Sequence, residues 1–412
     1  MAVIHPFRGL RPRPDLVEKV ASPPYDVLSS EEARELAGNN PYSFLHVVKA
    51  EIDLSPGIDV HSEEVYQQGA DNLKRFVAEG TLIRDEGPCF YIYEQTMGEH
   101  TQRGLMVGTS AQEYEDGIIK KHEFTRRDKE DDRAHHVDVL NANTGPVMMA
   151  YKARPEIDSL IDRIAAAAPA DYSFTAEDGV KHVLWVVSKP EDVAALAEQF
   201  AAVEALYIAD GHHRSAAGYR VRNLRRDRNP DHSGEEEYNY YLAVVFPDNQ
   251  LQILSYNRAV KDLNGLSPEE FLSRVKENFT VAETDNPQPR SPRTFTMYLE
   301  KHWYHLTAKE GSFPADDPVL SLDVSILQNN LLDPVLGIDD PRTNARIDFI
   351  GGIRGTGELE KRCARDMEVA FAFYPTRVDQ LMSVADQGQV MPPKSTWFEP
   401  KLRSGMVTHG LE

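Results

Sequence analysis

The sequence predicts a mixed α/β (α+β) fold, and three observations lead to that class. Amphipathic helical patterns alternate with short β-rich segments along the chain, no segment repeats at a fixed period, and 41% of the residues are hydrophobic. That apolar content is sufficient for a packed core. At roughly 100–200 residues per domain, the 412 residues predict two or three domains, or one core with large insertions.

The charge and the cysteine content exclude several classes of protein. The chain has 45 Lys and Arg against 66 Asp and Glu, so its net charge is −21. Such an acidic balance argues against nucleic acid as a partner, because phosphate binding requires an excess of basic side chains. Two cysteines cannot form a disulfide framework. Without a signal-peptide pattern or an apolar run of membrane-spanning length, we expect a cytoplasmic protein that does not enter the membrane.

The elements of the first half follow from caps, periodicity and turns. Ser29 and Glu32 form a capping box that predicts a helix start, and an amphipathic segment predicts a helix over 61–79. Strands are predicted at 90–95 and 104–110. The polar stretch 112–146 is rich in His, Arg and Asp.

The remainder of the chain continues the alternation. Predicted strands lie at 183–187, 205–209, 295–299, 303–306, 346–350 and 369–373, and predicted helices at 190–200, 215–224, 319–332 and 376–385. Turn residues at 247–249 predict a hairpin between 238–246 and 251–255. The Pro-rich stretch DNPQPRSP (285–292) is the best candidate in the chain for a linker between domains. It predicts a main α/β region over 1–284 and a C-terminal α/β region over 293–412.

The stretch YIADGHHRSAA (207–217) carries the most chemistry. An apolar strand ends at Ala209, Gly211 allows a tight turn, and a helix begins directly after it. This arrangement directs backbone N–H groups and the positive end of the helix dipole toward a bound anion. Arg214 adds a planar fork that matches two phosphate oxygens. The predicted ligands of a phosphate or nucleotide are Gly211, His212, His213, Arg214, Ser215 and, near the C-terminus, Lys394.

Acidic residues near this turn are the candidates for proton transfer. Asp210 lies at the carboxyl end of a strand, where α/β sheets bind ligands, and Asp26 follows the rigid pair of prolines at 23–24. The predicted catalytic residues are Asp210, His212 and Asp26, with Asp210 also the predicted Mg²⁺ ligand. A metal site at the two adjacent histidines is disfavoured, because adjacent histidines in extended backbone point apart and no carboxylate spacing completes a known ligand set. The alternative is that Asp210 and Gly211 only form a turn.

Two further groups of polar residues suit a small polar substrate. The first is the charged segment that begins at His122 together with the turn NANTGP (141–146), which presents amides and a hydroxyl. The second is the phenol of Tyr25, directly before Asp26. The predicted substrate-binding residues are Tyr25, His122, Glu123, Asn141, Asn143 and Thr144. The alternative for the charged segment is a solvated helical face.

These motifs also resemble known families. The sequence DGHHR after a strand is similar to the Gly-x-x-Arg phosphate-binding turn of the ParB/sulfiredoxin-like fold, particularly in its free serine kinases. The whole chain resembles the domain-of-unknown-function family 1015, through FRGLRP (7–12), SPPYDV (22–27), NANTGPVM (141–148), LDVSIL (322–327) and MPPKST (391–396). The resemblance implies a ParB/sulfiredoxin-like nucleotide-binding core with additional α/β elements.

Together, the residues and the resemblance predict an enzyme of phosphoryl transfer. It would act on a small hydroxyl-bearing metabolite, such as serine or phosphoserine, with ATP, ADP or pyrophosphate as donor and Mg²⁺ as cofactor. Two alternatives remain open: a nucleotide-binding regulatory protein without catalysis, and a metal-dependent phosphatase. The sequence is also compatible with a homo-oligomer.

Overall fold

The computed structural model describes all 412 residues, and it divides the chain into two compact units. The first comprises Met1–Leu251 and Pro400–Glu412, and the second comprises Gln252–Glu399. Each unit combines helices with a β-sheet, so the predicted mixed α/β class is confirmed. The division differs from the predicted one, because the proposed linker at 285–292 lies inside the second unit, between two of its strands.

The first unit is built on a nine-stranded sheet. The strands of this sheet and of two smaller sheets are β1 (Ile4–His5), β2 (Leu10–Pro12), β3 (Leu82–Arg84), β4 (Phe90–Met97), β5 (His100–Ser110), β6 (Ile119–Lys120), β7 (Ala142–Asn143), β8 (Val147–Tyr151), β9 (Tyr172–Thr175), β10 (Lys181–Val187), β11 (Leu206–Asp210) and β12 (Tyr240–Pro247). The order in the large sheet is β6-β11-β8-β12-β5-β4-β10-β9, with β1 paired to β5. Only β6 with β11 and β8 with β12 are parallel pairs in this sheet.

Nine α-helices complete the first unit. They are α1 (Val17–Val20), α2 (Ser30–Ala37), α3 (Leu45–Val48), α4 (Glu63–Ala78), α5 (Ala111–Glu115), α6 (Arg127–Leu140), α7 (Pro155–Ala166), α8 (Pro190–Phe200) and α9 (His212–Arg228). The predicted capping box is confirmed at α2, where the Glu32 N–H donates to Ser29 Oγ at 3.2 Å and the Ser29 N–H donates to Glu32 Oε2 at 2.8 Å. The main core packs α7 and α8 against the sheet, through side chains such as Ile157, Phe200 and Ile208.

The second unit has eight strands: β13 (Gln252–Leu254), β14 (Tyr256–Val260), β15 (Phe279–Glu283), β16 (Thr294–Leu299), β17 (His302–Ala308), β18 (Ile347–Gly351), β19 (Val369–Phe373) and β20 (Trp397–Glu399). Six of them form an antiparallel sheet of order β15-β17-β16-β19-β14-β18, and β13 pairs with β20. Its α-helices are α10 (Pro268–Asn278), α11 (Asp323–Leu327), α12 (Gly357–Arg365) and α13 (Val378–Asp386). A short π-helix, Gln328–Leu332, continues α11.

One predicted pairing is wrong. β12 and β13 do not form a hairpin, because β12 pairs with β5 and β8 while β13 pairs with β20. The turn residues at 248–250 form a 3₁₀ helix instead. After β20 the chain returns to the first unit, where β21 (His409–Gly410) pairs with β7. None of the helices in the structure has both the length and the apolar character that crossing a membrane requires.

Candidate functional site

The candidate site lies at the edge of the large sheet where β6 and β11 end. The two strands are parallel, with Leu206 aligned to Ile119. Parallel strands bring the residues that follow them to the same edge of a sheet. The residues after β6, His122 and Glu123, are therefore next to the start of α9, although about ninety positions separate them along the chain.

The turn between β11 and α9 requires glycine. Gly211 has φ +99°, and a Cβ atom at this position would lie 3.1 Å from Arg214 Nε. A side chain here would be strained by the backbone and would press on the guanidinium. No side chain caps the start of α9, so the first turn keeps the anion-binding character that the sequence predicts.

Arg214 joins two carboxylates. Its Nη2 donates to Asp26 Oδ2 and to Asp210 Oδ2, both at 3.3 Å, and its Nη1 donates to the carbonyl oxygen of Pro146. The Arg214 side chain is only 10% exposed, whereas Asp26 is 42% and Asp210 33% exposed. The structure thus brings together two of the predicted catalytic residues, on either side of one buried cation.

Lys401 completes this charged network, and the sequence analysis missed it. Its Nζ lies 3.6 Å from Asp210 Oδ2. Burial alone would raise the pKa of Asp210, but the positive charges of Lys401 and Arg214 outweigh it and lower that pKa. Asp210 is therefore ionised near pH 7, and a Mg²⁺ ion there would compete with both cations. No local signal pointed to Lys401, which the final segment of the chain carries back to the first unit.

The guanidinium of Arg214 is not the open fork that the sequence predicts. Two of its nitrogens are engaged by the carbonyl of Pro146 and by the carboxylates of Asp26 and Asp210. The third, Nε, is buried without a hydrogen-bond partner. An incoming phosphate would thus find one unsatisfied donor and would compete with carboxylates for the others.

A narrow pocket with about 30 Å³ of free space is lined in part by Arg214. Tyr25 lies in the 3₁₀ helix that follows Pro24, and its ring centre is 4.2 Å from Arg133 Cζ. Burial raises the pKa of the Tyr25 phenol. The predicted substrate residues that line the pocket are Tyr25, Asn143 and Thr144, together with Arg214 and two residues outside the predicted set, Arg133 and His136. Both residues lie on α6 and are largely buried, so part of the charged segment is not a solvated helical face.

A second cluster contains His122, Glu123 and His212. The two imidazole rings meet edge to face, with centres 4.4 Å apart, and His212 Nδ1 lies 3.7 Å from Glu123 Oε2. Burial lowers the pKa of His122 to about 4, and burial with the neighbouring His122 lowers that of His212 well below its usual value. The sequence disfavours a metal site at the adjacent His212 and His213 and offers no carboxylate to complete a ligand set. The fold brings another histidine, His122, and the carboxylate of Glu123 to His212 from the segment after β6.

The remaining predicted residues have other surroundings. His213 Nε2 accepts from the Arg126 N–H at 3.2 Å, and the Ser215 side chain is fully buried on the inner face of α9. Asn141 caps α6 in a left-handed conformation, and its side chain bonds Arg225 and Glu412. These contacts give Asn141 a structural role in place of the predicted open amide.

Lys394 belongs to the second unit. Its Nζ lies 5.5 Å from the ring centre of Tyr256, at the distance of a cation–π contact. Its role as a phosphate ligand stays a prediction.

Comparison with known proteins gives the family. The model described as "Protein of unknown function (DUF1015)" matches residues 4–325. The chain belongs to this family. The matched range includes both histidines of the second cluster, the DGHHR turn and Asp26. No curated protein matches the sequence.

Solved structures show only a distant likeness. A free serine kinase in complex with AMP is 14% identical with a TM-score of 0.34, over 72% of this chain and 86% of that chain. SbnI from Staphylococcus aureus, with a C-terminal truncation, is 10% identical with a TM-score of 0.37, over 73% and 85%. A conserved hypothetical protein from Pyrococcus furiosus is 12% identical with a TM-score of 0.32, over 72% and 90%. Likeness at this level carries no argument about activity.

Proposed function

We propose that this protein is a phosphoryl-transfer enzyme that acts on a small hydroxyl-bearing metabolite of the serine or phosphoserine class. One observation carries the proposal: Arg214 lines a pocket and also joins Asp26 and Asp210 at the start of an uncapped helix. Catalysis of phosphoryl transfer depends on positioning and on electrostatic stabilisation, and it needs cations, a carboxylate and a phosphate-binding turn. The cations and the carboxylates occur together here, at the turn that we propose binds phosphate.

In this proposal the donor, a nucleotide or pyrophosphate, binds through its phosphates at the DGHHR turn. The phosphates would take the N–H groups of the first turn of α9 and the unsatisfied Nε of Arg214. Mg²⁺ would arrive with the phosphates and offset their charge. The substrate would bind beside Tyr25, Asn143 and Thr144, which line the narrow pocket, and the pocket would widen to admit it. This arrangement is the one expected of a ParB/sulfiredoxin-like nucleotide-binding core.

The two carboxylates would have different tasks. A lowered pKa makes Asp210 a poor proton acceptor. We therefore propose that Asp26, the more exposed carboxylate, accepts the proton of the substrate hydroxyl. Asp210 would hold Arg214 and Lys401 in place for the phosphate. His212, whose imidazole is neutral near pH 7, would act as a hydrogen-bond partner and not as a charged group.

The test is binding and turnover with a matched pair of variants. Arg214→Lys loses the planar fork, and we expect ADP, ATP or pyrophosphate to bind at least ~1.5 kcal/mol more weakly, which is more than tenfold. Arg226→Lys is the control, because it makes the same change at the far end of α9, where Arg226 pairs with Asp227. Calorimetry with and without Mg²⁺ measures both variants. Equal affinity of Arg214→Lys and the native protein would refute the phosphate-binding role.

Turnover separates this proposal from the two alternatives. Phosphorus NMR of the protein with serine and each donor should show phosphoserine, and Asp26→Asn should abolish that signal. Binding of the donor without any product would support a regulatory nucleotide-binding protein. Release of inorganic phosphate from phosphoserine without a donor would support a metal-dependent phosphatase, the candidate that the cluster of His122, Glu123 and His212 favours.

A further inference from the structure

Three side chains with metal-binding chemistry meet where β6 and β11 end. His122 and Glu123 follow β6, and His212 is the first residue of α9. One potential ligand atom from each lies within 4.8 Å of the others. The three residues come from two segments that the parallel pairing of β6 and β11 brings together.

The nitrogens of the two imidazoles give an independent indication of a ligand. His122 is 2% exposed and His212 is 5% exposed. One ring nitrogen of His122 hydrogen-bonds the backbone of Ile208, while its Nδ1 is buried without a partner. Metal-binding histidines are oriented in this way, with one nitrogen held by the protein and the other directed to the ion. The His212 nitrogen nearest Glu123 is Nδ1, 3.7 Å from Oε2, and the other nitrogen, Nε2, is buried without a partner.

We propose that His122, Glu123 and His212 bind one divalent transition-metal ion of the Zn²⁺ class. Two imidazoles and a carboxylate are a ligand set of catalytic zinc sites, which leave a position open for water or for an oxygen of the substrate. Imidazole ligands favour zinc-like ions over Mg²⁺ and Ca²⁺, which prefer oxygen. This site is distinct from the Mg²⁺ that the sequence predicts at Asp210.

The geometry requires only a modest adjustment on binding. Ligand nitrogens at about 2.0–2.1 Å from a tetrahedral zinc ion lie about 3.4 Å from one another. The present separations of up to 4.8 Å would therefore shorten by about 1 Å or slightly more. Glu123, whose side chain is 49% exposed, is the member that can shift most easily.

Metal titration tests the site directly, without any nucleotide. The full-length protein, free of a histidine tag, is treated with a chelator, dialysed and titrated with Zn²⁺ by calorimetry and with Co²⁺ by visible absorption. We expect one equivalent of each ion to bind, with the d–d bands of Co²⁺ showing a nitrogen and oxygen ligand set. Mg²⁺ at the same concentration should produce no heat and should not displace Co²⁺.

Variants identify the ligands. Glu123→Gln keeps the size of a half-exposed side chain and should weaken Zn²⁺ binding at least ~10-fold, and His212→Asn should weaken it further. His135→Gln is the control, because His135 is an exposed histidine of α6 that also contacts a glutamate, Glu63, at 2.7 Å. It should bind Zn²⁺ as the native protein does. Melting curves in chelator establish that each variant is folded.

Two results would overturn the proposal. The first is native protein that binds no stoichiometric Zn²⁺. The second is Glu123→Gln that is folded and binds Zn²⁺ and Co²⁺ with native affinity and an unchanged Co²⁺ spectrum. Should His212→Asn fail to fold, Glu123→Gln alone decides between these outcomes. Since no phosphate ligand is present, failure here leaves the proposed phosphoryl transfer untouched, and failure of the nucleotide experiments leaves this site untouched.

Discussion

Substituting Gly211 by alanine tests how closely the turn and the guanidinium of Arg214 depend on each other. The backbone at Gly211 has φ +99°, and an alanine in a left-handed conformation costs ~1–2 kcal/mol. The new Cβ would lie 3.1 Å from Nε and 3.2 Å from Cζ of Arg214. That group has little freedom to move, because Pro146, Asp26 and Asp210 hold it. Stretching these hydrogen bonds adds ~1–2 kcal/mol.

The control separates the two contributions. Gly179 also has a positive φ, +79°, but a Cβ there would meet no atom within 4 Å. Gly179→Ala should therefore lose only the ~1–2 kcal/mol due to the backbone, whereas Gly211→Ala should lose ~2–4 kcal/mol. Denaturant unfolding of both variants, followed by circular dichroism, gives the free energies of unfolding. Equal losses would show that the guanidinium moves aside freely, and the tight coupling of turn and Arg214 would be refuted.

Three further predictions follow from the structure. Asp210→Asn should lower phosphoryl-transfer turnover ~100-fold, because Arg214 and Lys401 lose the carboxylate that positions them, and it should also lower the melting temperature. Full activity would contradict this positioning role. Burial, aided by the charge of Arg403, lowers the pKa of His182 to about 3. Protons therefore bind the unfolded chain preferentially, and the contribution of His182 to stability should fall below pH 6.5, by at most ~1.4 kcal/mol per pH unit. His182→Gln should show a flatter profile between pH 6.5 and 5 in urea titrations, and an identical slope would contradict this account. Cys89 and Cys363 are free, so thiol titration of unfolded, unreduced protein should give two thiols, and a count of zero would contradict it.

Elements whose signal lies within neighbouring residues could be predicted from the sequence. The capping box at Ser29 and Glu32 has both of its hydrogen bonds, and β19 covers the predicted 369–373. The strand that ends at the DGHHR turn is likewise where we expected it. In each case the competing conformations differ in contacts made within a few residues, so local composition was sufficient.

Pairings between distant segments could not be predicted in this way. The turn signal at 247–249 was correctly placed between two strands, but β13 pairs with β20, whose residues lie far along the chain. The choice of a strand partner depends on which hydrophobic faces are buried together, and one sequence does not contain that comparison. The division into units was misjudged for the same reason. The Pro-rich stretch at 285–292 connects two strands of one sheet and does not separate two units.

The sequence by itself determined the mixed α/β class, the turn at Gly211 and the types of side chain around it. Only the tertiary structure decided which of these side chains meet. The return of the final segment brings Lys401 to Asp210, and the parallel pairing of β6 and β11 brings His122 to His212. The physical reason is that local backbone preferences act over a few residues, whereas the contacts of a charged or buried side chain depend on the register of strands that fold onto each other.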